Sequence, residues 1–184
     1  MKWWEEHNNQ HYASAIAVRK HLKVEATMLK DSTQLPPLTG PWSRHQATDF
    51  LNESIIPLRL SVVGRSGWPV ITSLWFVLES DIIWCATHHT AKIIQSLQFN
   101  PRCAFEVAPD QPPYRGLRGQ AQAELDHDRG AAVLGRLIDR YQRTRDSDLA
   151  RWLLSRSDEE IALAITPVRM QAWDYSKRMH NNVA

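Results

Sequence analysis

Cysteine is scarce in this chain. Cys85 and Cys103 are the only two among 184 residues, which excludes the disulfide framework of a small secreted domain. An excess of either charge is also lacking: 22 Lys and Arg stand against 20 Asp and Glu, for a net charge of +2. That balance excludes the basic surface that nucleic-acid binding needs, including a barrel carrying single strands in a basic groove. No apolar run approaches the roughly 18–20 residues of a membrane span, so no membrane partner is expected. The opening Met1-Lys-Trp-Trp-Glu-Glu6 lacks the basic-then-apolar order of a secretory signal. Together with unpaired cysteines, this points to a cytoplasmic setting. There is no internal repeat and no low-complexity tract.

What the chain does have is tryptophan, eight residues of it, within a composition that is 43% hydrophobic and 23% charged. That composition is globular, and the length is sufficient for one domain with a proper core. Indole rings bury large areas and are enriched where subunits meet; a few could also cover a flat cofactor.

Residues 1–45 read as an N-terminal extension or arm. They are polar, hold a helix pattern around Ala13–Met28, and end in the loop Leu35-Pro-Pro-Leu-Thr-Gly-Pro41. Residues 46–184 read as the folded domain. A short helix over Asp49–Ser54 precedes a β-rich block: Pro57–Val63, a turn at Gly64-Arg-Ser-Gly67, a long strand over Trp68–Leu78, a tight turn at Glu79-Ser-Asp81, and a strand over Ile82–Thr87. Further strands are expected over Arg102–Val107, Tyr114–Leu125 and Ile161–Trp173. Gly116 and Gly119 mark bends or a close backbone neighbour, and Pro167 marks a bend or bulge. Two helices, Asp128–Arg143 and Asp146–Ser155, separate the last two strands. Strands at hairpin spacing with few crossovers predict a mainly β fold with flanking helices, built on a six-stranded antiparallel barrel.

The stretch Ala86-Thr-His-His-Thr-Ala-Lys92 carries the chemistry. Adjacent His88 and His89 would face opposite ways on a strand, and no further histidine or cysteine stands at metal-ligand spacing; no metal is expected. Thr90 is an N-cap candidate for a helix whose apolar stripe is Ile93, Ile94, Leu97 and Phe99, stopped at Asn100-Pro101. Lys92 in a first turn opposes the helix dipole, unless an anion sits on the open N–H groups there. The alternative is a solvated lysine.

Read together, Leu58-Arg-Leu-Ser-Val-Val63, Gly67-Trp-Pro-Val-Ile-Thr-Ser-Leu-Trp-Phe-Val77 and Lys92-Ile-Ile-Gln-Ser-Leu-Gln-Phe-Asn-Pro-Arg102 resemble the pyridoxamine 5′-phosphate oxidase-like family of FMN-binding split barrels. Arg118–Glu124 and Pro167–Trp173 extend the resemblance to about residues 48–175. It implies a Greek-key split barrel and a homodimer with FMN at the subunit interface. It places Val70, Ile71, Thr72 and Ser73 along the isoalloxazine ring, and Trp75 near a position that is often lysine. It places Thr87 by the ribityl chain or phosphate, and Thr90, Ala91 and Lys92 where the family has a Ser-Arg-Lys phosphate triplet. Tyr114 and Trp173 approach the ring from the other subunit. Two departures stand out. Ala91 replaces an arginine, leaving Arg59, His88 or His89 to supply the missing cation. The oxidases' closing Arg-Leu-His-Asp-Arg pattern is replaced by Asp174-Tyr-Ser-Lys-Arg-Met179. The resemblance therefore implies an FMN-dependent oxidoreductase acting on some other small molecule, or a carrier or sensor of flavin, F420 or haem.

Overall fold

The computed structural model describes residues 36–142 and 144–180. The expected helix over Ala13–Met28 lies outside them.

The sheet is laid down by alternation. In β2 (Leu58–Val63), Leu58, Leu60 and Val62 are buried while Arg59, Ser61 and Val63 are not, the period-2 pattern of a strand with one core face. Strand β6 (Arg102–Val107) repeats it with Cys103, Phe105 and Val107 inward. Between Gly130 and Gln142 the period changes: Val133, Leu134, Leu137 and Ile138 are buried, the stripe of a helix, α3.

Among the described residues eight strands form, two more than expected. In chain order they are β1 (Leu38–Thr39), β2, β3 (Pro69–Leu74), β4 (Val77–Glu79), β5 (Ile82–His88), β6, β7 (Arg115–Asp126) and β8 (Glu160–Asp174). Helix α1 (Arg44–Glu53) precedes β2. Helix α2 (Lys92–Phe99) joins β5 to β6. Helices α3 and α4 (Asp148–Leu154) lie between β7 and β8, and α5 (Ser176–His180) follows. One extra strand is the two-residue β1, which pairs in parallel with Met170 and Gln171 of β8. The other arises because the expected strand over Trp68–Leu78 breaks at Trp75–Phe76. There Tyr141 of α3 stacks on the Trp75 ring with centroids 5.1 Å apart. Its hydroxyl accepts from the Phe76 N–H at 3.4 Å and donates to the Ile56 carbonyl at 3.3 Å. The strand breaks because a distant helix occupies the backbone groups at that point.

Seven strands form one ladder in the order β3-β2-β6-β7-β8-β5-β4, antiparallel throughout. β3 stands at one end and β5 is next to last at the other. Even so, they approach within 8 Å between Cα atoms without pairing. The sheet therefore curls until its ends meet at an unpaired seam, with the main core inside the curl (Leu60, Phe76, Ile83, Phe105, Leu163, Ile165). The first half of β8 is buried on both faces: Ile161, Leu163 and Ile165 inward, Ala162 and Ala164 against α3 and Trp84. Pro167 sits beside the register shift at Gln120/Ala121, where the missing N–H does no harm. Gly119 is obligatory there, since a Cβ would stand 2.6 Å from the Phe105 ring and 2.7 Å from the Arg169 carbonyl oxygen.

Helix α1 starts five residues before its expected position. Ser43 accepts from the Gln46 N–H at 3.2 Å, and the Gln46 side chain accepts from the Ser43 N–H at 2.8 Å, a complete capping box. Its C-terminal end is held by Arg140, which donates to the Leu51 and Ser54 carbonyls at 2.6 and 2.5 Å. The turn Glu79-Ser-Asp81 is as expected: Ser80 and Asp81 have φ of 50° and 63°, the left-handed pair of a tight hairpin.

Candidate cofactor site

The residues singled out in the sequence fall into three places. The first is the turn that ends β5. His88 is its last strand residue, and α2 begins at Lys92. The N-cap is Ala91, not Thr90, and it offers no side-chain bond. Thr90 does not cap because its side chain is used elsewhere: its Oγ1 lies 2.7 Å from His88 Nδ1. The start of α2 thus keeps open N–H groups and a partial positive charge. Lys92 is exposed, and its side chain makes no hydrogen bond or ion pair among the described residues. Thr87 is half-buried, opposite Ile161 of β8.

The histidines do not diverge as a regular strand would have them. Their rings stack, centroids 4.4 Å apart. His88 Nε2 lies 2.5 Å from Glu159 Oε2, and His89 Nδ1 lies 3.1 Å from the Glu159 carbonyl oxygen. Glu159 also receives Arg156 at 2.8 Å. Hydrogen bonds from His88, then from Arg156, hold the Glu159 carboxyl below the usual carboxylate range. Its neighbour Glu160, paired with His88 across the ladder, is shifted the other way because burial pushes its carboxyl up. Among the described residues, no group of three or more His, Cys, Asp or Glu is placed to hold a metal ion.

The second place is β3. Among the described residues its ladder partner is β2 alone, so there its outer edge presents unpaired backbone groups along the seam. Val70 and Ile71 are 54% and 70% exposed, next to Trp68 at 76%; Ser73 is exposed and Thr72 half-buried. Exposed apolar side chains on both faces of an edge with free N–H and C=O groups suit a flat heterocycle. Trp75 does not join them, for its indole is stacked on Tyr141.

The third place is the far end of β7 and β8. Tyr114 is 44% exposed. The Trp173 ring lies over Gly116, where a Cβ would come within 2.7 Å of it, and the Arg118 guanidinium stands 5.5 Å from its centroid. His88 pairs with Glu160, whereas Gly116 pairs with Trp173. These two points are about 40 Å apart along β8 at roughly 3.3 Å per residue. The turn at Lys92 and the ring of Trp173 therefore sit at opposite ends of the strand in one chain.

Sequence reasoning missed two features. Glu159 and Arg156 reach the turn from about seventy residues downstream, and nothing local announces them. A groove of about 710 Å³ also crosses the outer sheet face, lined by Arg59, Ser61, Ile71, Glu106, Arg118 and Arg169 among others. The register aligns Ile71, Ser61, Ala104, Gln120 and Arg169 in one row across five strands. Arg59 belongs to this groove and is held there by Glu106 at 3.3 Å and the Ala108 carbonyl at 3.2 Å.

The curled ladder, its seam and its flanking helices have the split-barrel fold of pyridoxamine 5′-phosphate oxidase-like proteins. A conserved hypothetical protein from Mycobacterium tuberculosis superimposes with a TM-score of 0.65 and 22% identity, over 76% of this chain and 89% of that one. An F420 reductase gives 0.55 and 20%, over 66% and 94%. A candidate pyridoxamine 5′-phosphate oxidase from Listeria innocua gives 0.54 and 14%, over 70% and 95%. No family model matches the chain, and no curated protein matches it. No helix among the described residues is long and apolar enough to cross a membrane.

Proposed function

We propose that this chain is an FMN-binding oxidoreductase that works as a homodimer, with each FMN held between two copies. The observation that carries the proposal is the start of α2, just after β5: a helix N-terminus with no side-chain cap, whose lysine side chain has no partner among the described residues. A phosphate ester fits that place, since it would accept the open N–H groups and neutralise Lys92. The β3 edge fits the ring: backbone groups between Val70 and Ser73 bond its heteroatoms, the Thr72 and Ser73 hydroxyls add to them, and Val70 and Ile71 cover its apolar part. Thr87 is assigned to the ribityl chain. Tyr114 and Trp173 are too far from Lys92 within one chain and are assigned to the site of a second copy, where their rings close it to water.

The flavin supplies hydride transfer at N5; the protein binds, orients and tunes it. The test is the visible spectrum of the purified protein after incubation with FMN and desalting. A flavin spectrum, with FMN released on denaturation, is the expected result. A protein that retains F420 or haem instead, or that keeps no flavin at micromolar concentration, overturns the FMN assignment. Bleaching of the bound flavin by NADH or NADPH, with recovery in air over many cycles, separates an enzyme from a carrier.

A further inference from the structure

We propose that His88 replaces the arginine absent at Ala91, supplying the second positive charge at the phosphate site and acting through the Thr90 hydroxyl. This inference rests on the FMN reading above. Three residues compete for the role, and the structure separates them. Arg59 is tied to Glu106 and the Ala108 carbonyl on the groove face. His89 turns Nδ1 to the backbone oxygen of Glu159. His88 is the one that touches the site, with Nδ1 against Thr90 Oγ1 at 2.7 Å and against the Thr90 N–H at 3.2 Å.

The hydrogen bonding gives His88 a defined task. Nε2 faces the Glu159 carboxylate at 2.5 Å and is therefore the N–H-bearing nitrogen in the neutral ring. Nδ1 then accepts, and it draws both the N–H and the O–H of Thr90 inward. When the ring is protonated, Nδ1–H donates to Thr90 Oγ1. The Thr90 hydroxyl proton is then free to point at an anion beside Lys92. Glu159 compensates the added charge, and is itself steadied by Arg156 at 2.8 Å. The other charged groups around the ring are Glu160, across the ladder from it, and His89, stacked on it. Phosphate binding and protonation of His88 thus support one another. His88 is a positioning residue here, since Thr90 makes the contact.

The experiment compares FMN with riboflavin, which lacks the phosphate, by fluorescence titration between pH 7 and 9. The phosphate is a dianion throughout this range, its second pKa being about 6. The wild-type preference for FMN should fall about tenfold from the low to the high end of this range. Calorimetry in two buffers of different ionisation heat should show proton uptake with FMN and none with riboflavin. His88→Gln should have a low, flat preference and no uptake, with riboflavin affinity unchanged as its folding control. Glu159→Gln should lose preference at lower pH than wild type. A wild-type preference that is flat in pH, or a His88→Gln variant that keeps the pH dependence and the uptake, overturns the inference and leaves the FMN reading standing. Failure of the wild type to bind FMN overturns both.

Discussion

The Lys92 side chain has no partner among the described residues, so its replacement tests the site without disturbing packing. Lys92→Ala removes a charge-assisted contact of about 1.5–3 kcal/mol. FMN affinity should fall about ten- to a hundredfold, with riboflavin affinity unchanged; fluorescence titration of both flavins checks this. Glu160 is a second residue with a readable consequence. Burial raises its carboxyl above the usual range in the folded chain. Its contribution is complete below the unfolded value near 4.3 and is lost as pH rises through the folded value. Glu160→Gln should therefore raise the melting temperature at pH 7–8, and the gain should shrink towards pH 4. Thermal scans across that range would show it; a gain independent of pH contradicts it. At this scale the sequence was legible where a residue acts through its own chemistry. The lysine at the head of a helix was visible as an oddity. Thr90 was misread because its hydroxyl is claimed by a histidine that the fold turns towards it.

Elements were legible wherever one period ruled a segment. The alternation of β2 and the stripe of α2 (Ile93, Ile94, Leu97, all buried) follow from spacing alone, but Phe99, expected on that stripe, ends the helix exposed under Arg65. The strand over Trp68–Leu78 was taken as continuous because its residues favour strand throughout; only Tyr141, some 65 positions later, shows where it breaks. Tyr141→Phe tests that account. It leaves the Phe76 N–H and the Ile56 carbonyl without their partner while keeping the ring on Trp75. The bonds are long, at 3.4 and 3.3 Å, so the expected loss is about 1 kcal/mol in denaturant unfolding, with flavin affinity little changed. The early start of α1 was legible in principle, since Ser43-Arg-His-Gln46 is a capping-box sequence.

For the whole molecule, the decisive fact is the distance between the Lys92 turn and Trp173. Local sequence carries no such length; it follows from β8 running unbroken beside both β5 and β7. If each site joins these two ends from different copies, a mixture can recover what its parts lack. Lys92→Ala and Trp173→Ala, each weak in FMN binding alone, should form hybrids with one intact site when refolded together. A random dimer mixture would restore about a quarter of the sites. No recovery, or a sedimentation mass near 21.2 kDa with FMN bound, would contradict a shared site. The curled sheet has one more use. Cys85 and Cys103 are sealed inside it, and burial pushes both thiols far above their ordinary range. Neither can react with an alkylating reagent until the barrel opens. The labelling rate of the native chain is thus a built-in clock for opening of the molecule, and any ligand that clasps the seam should slow it in proportion to its occupancy.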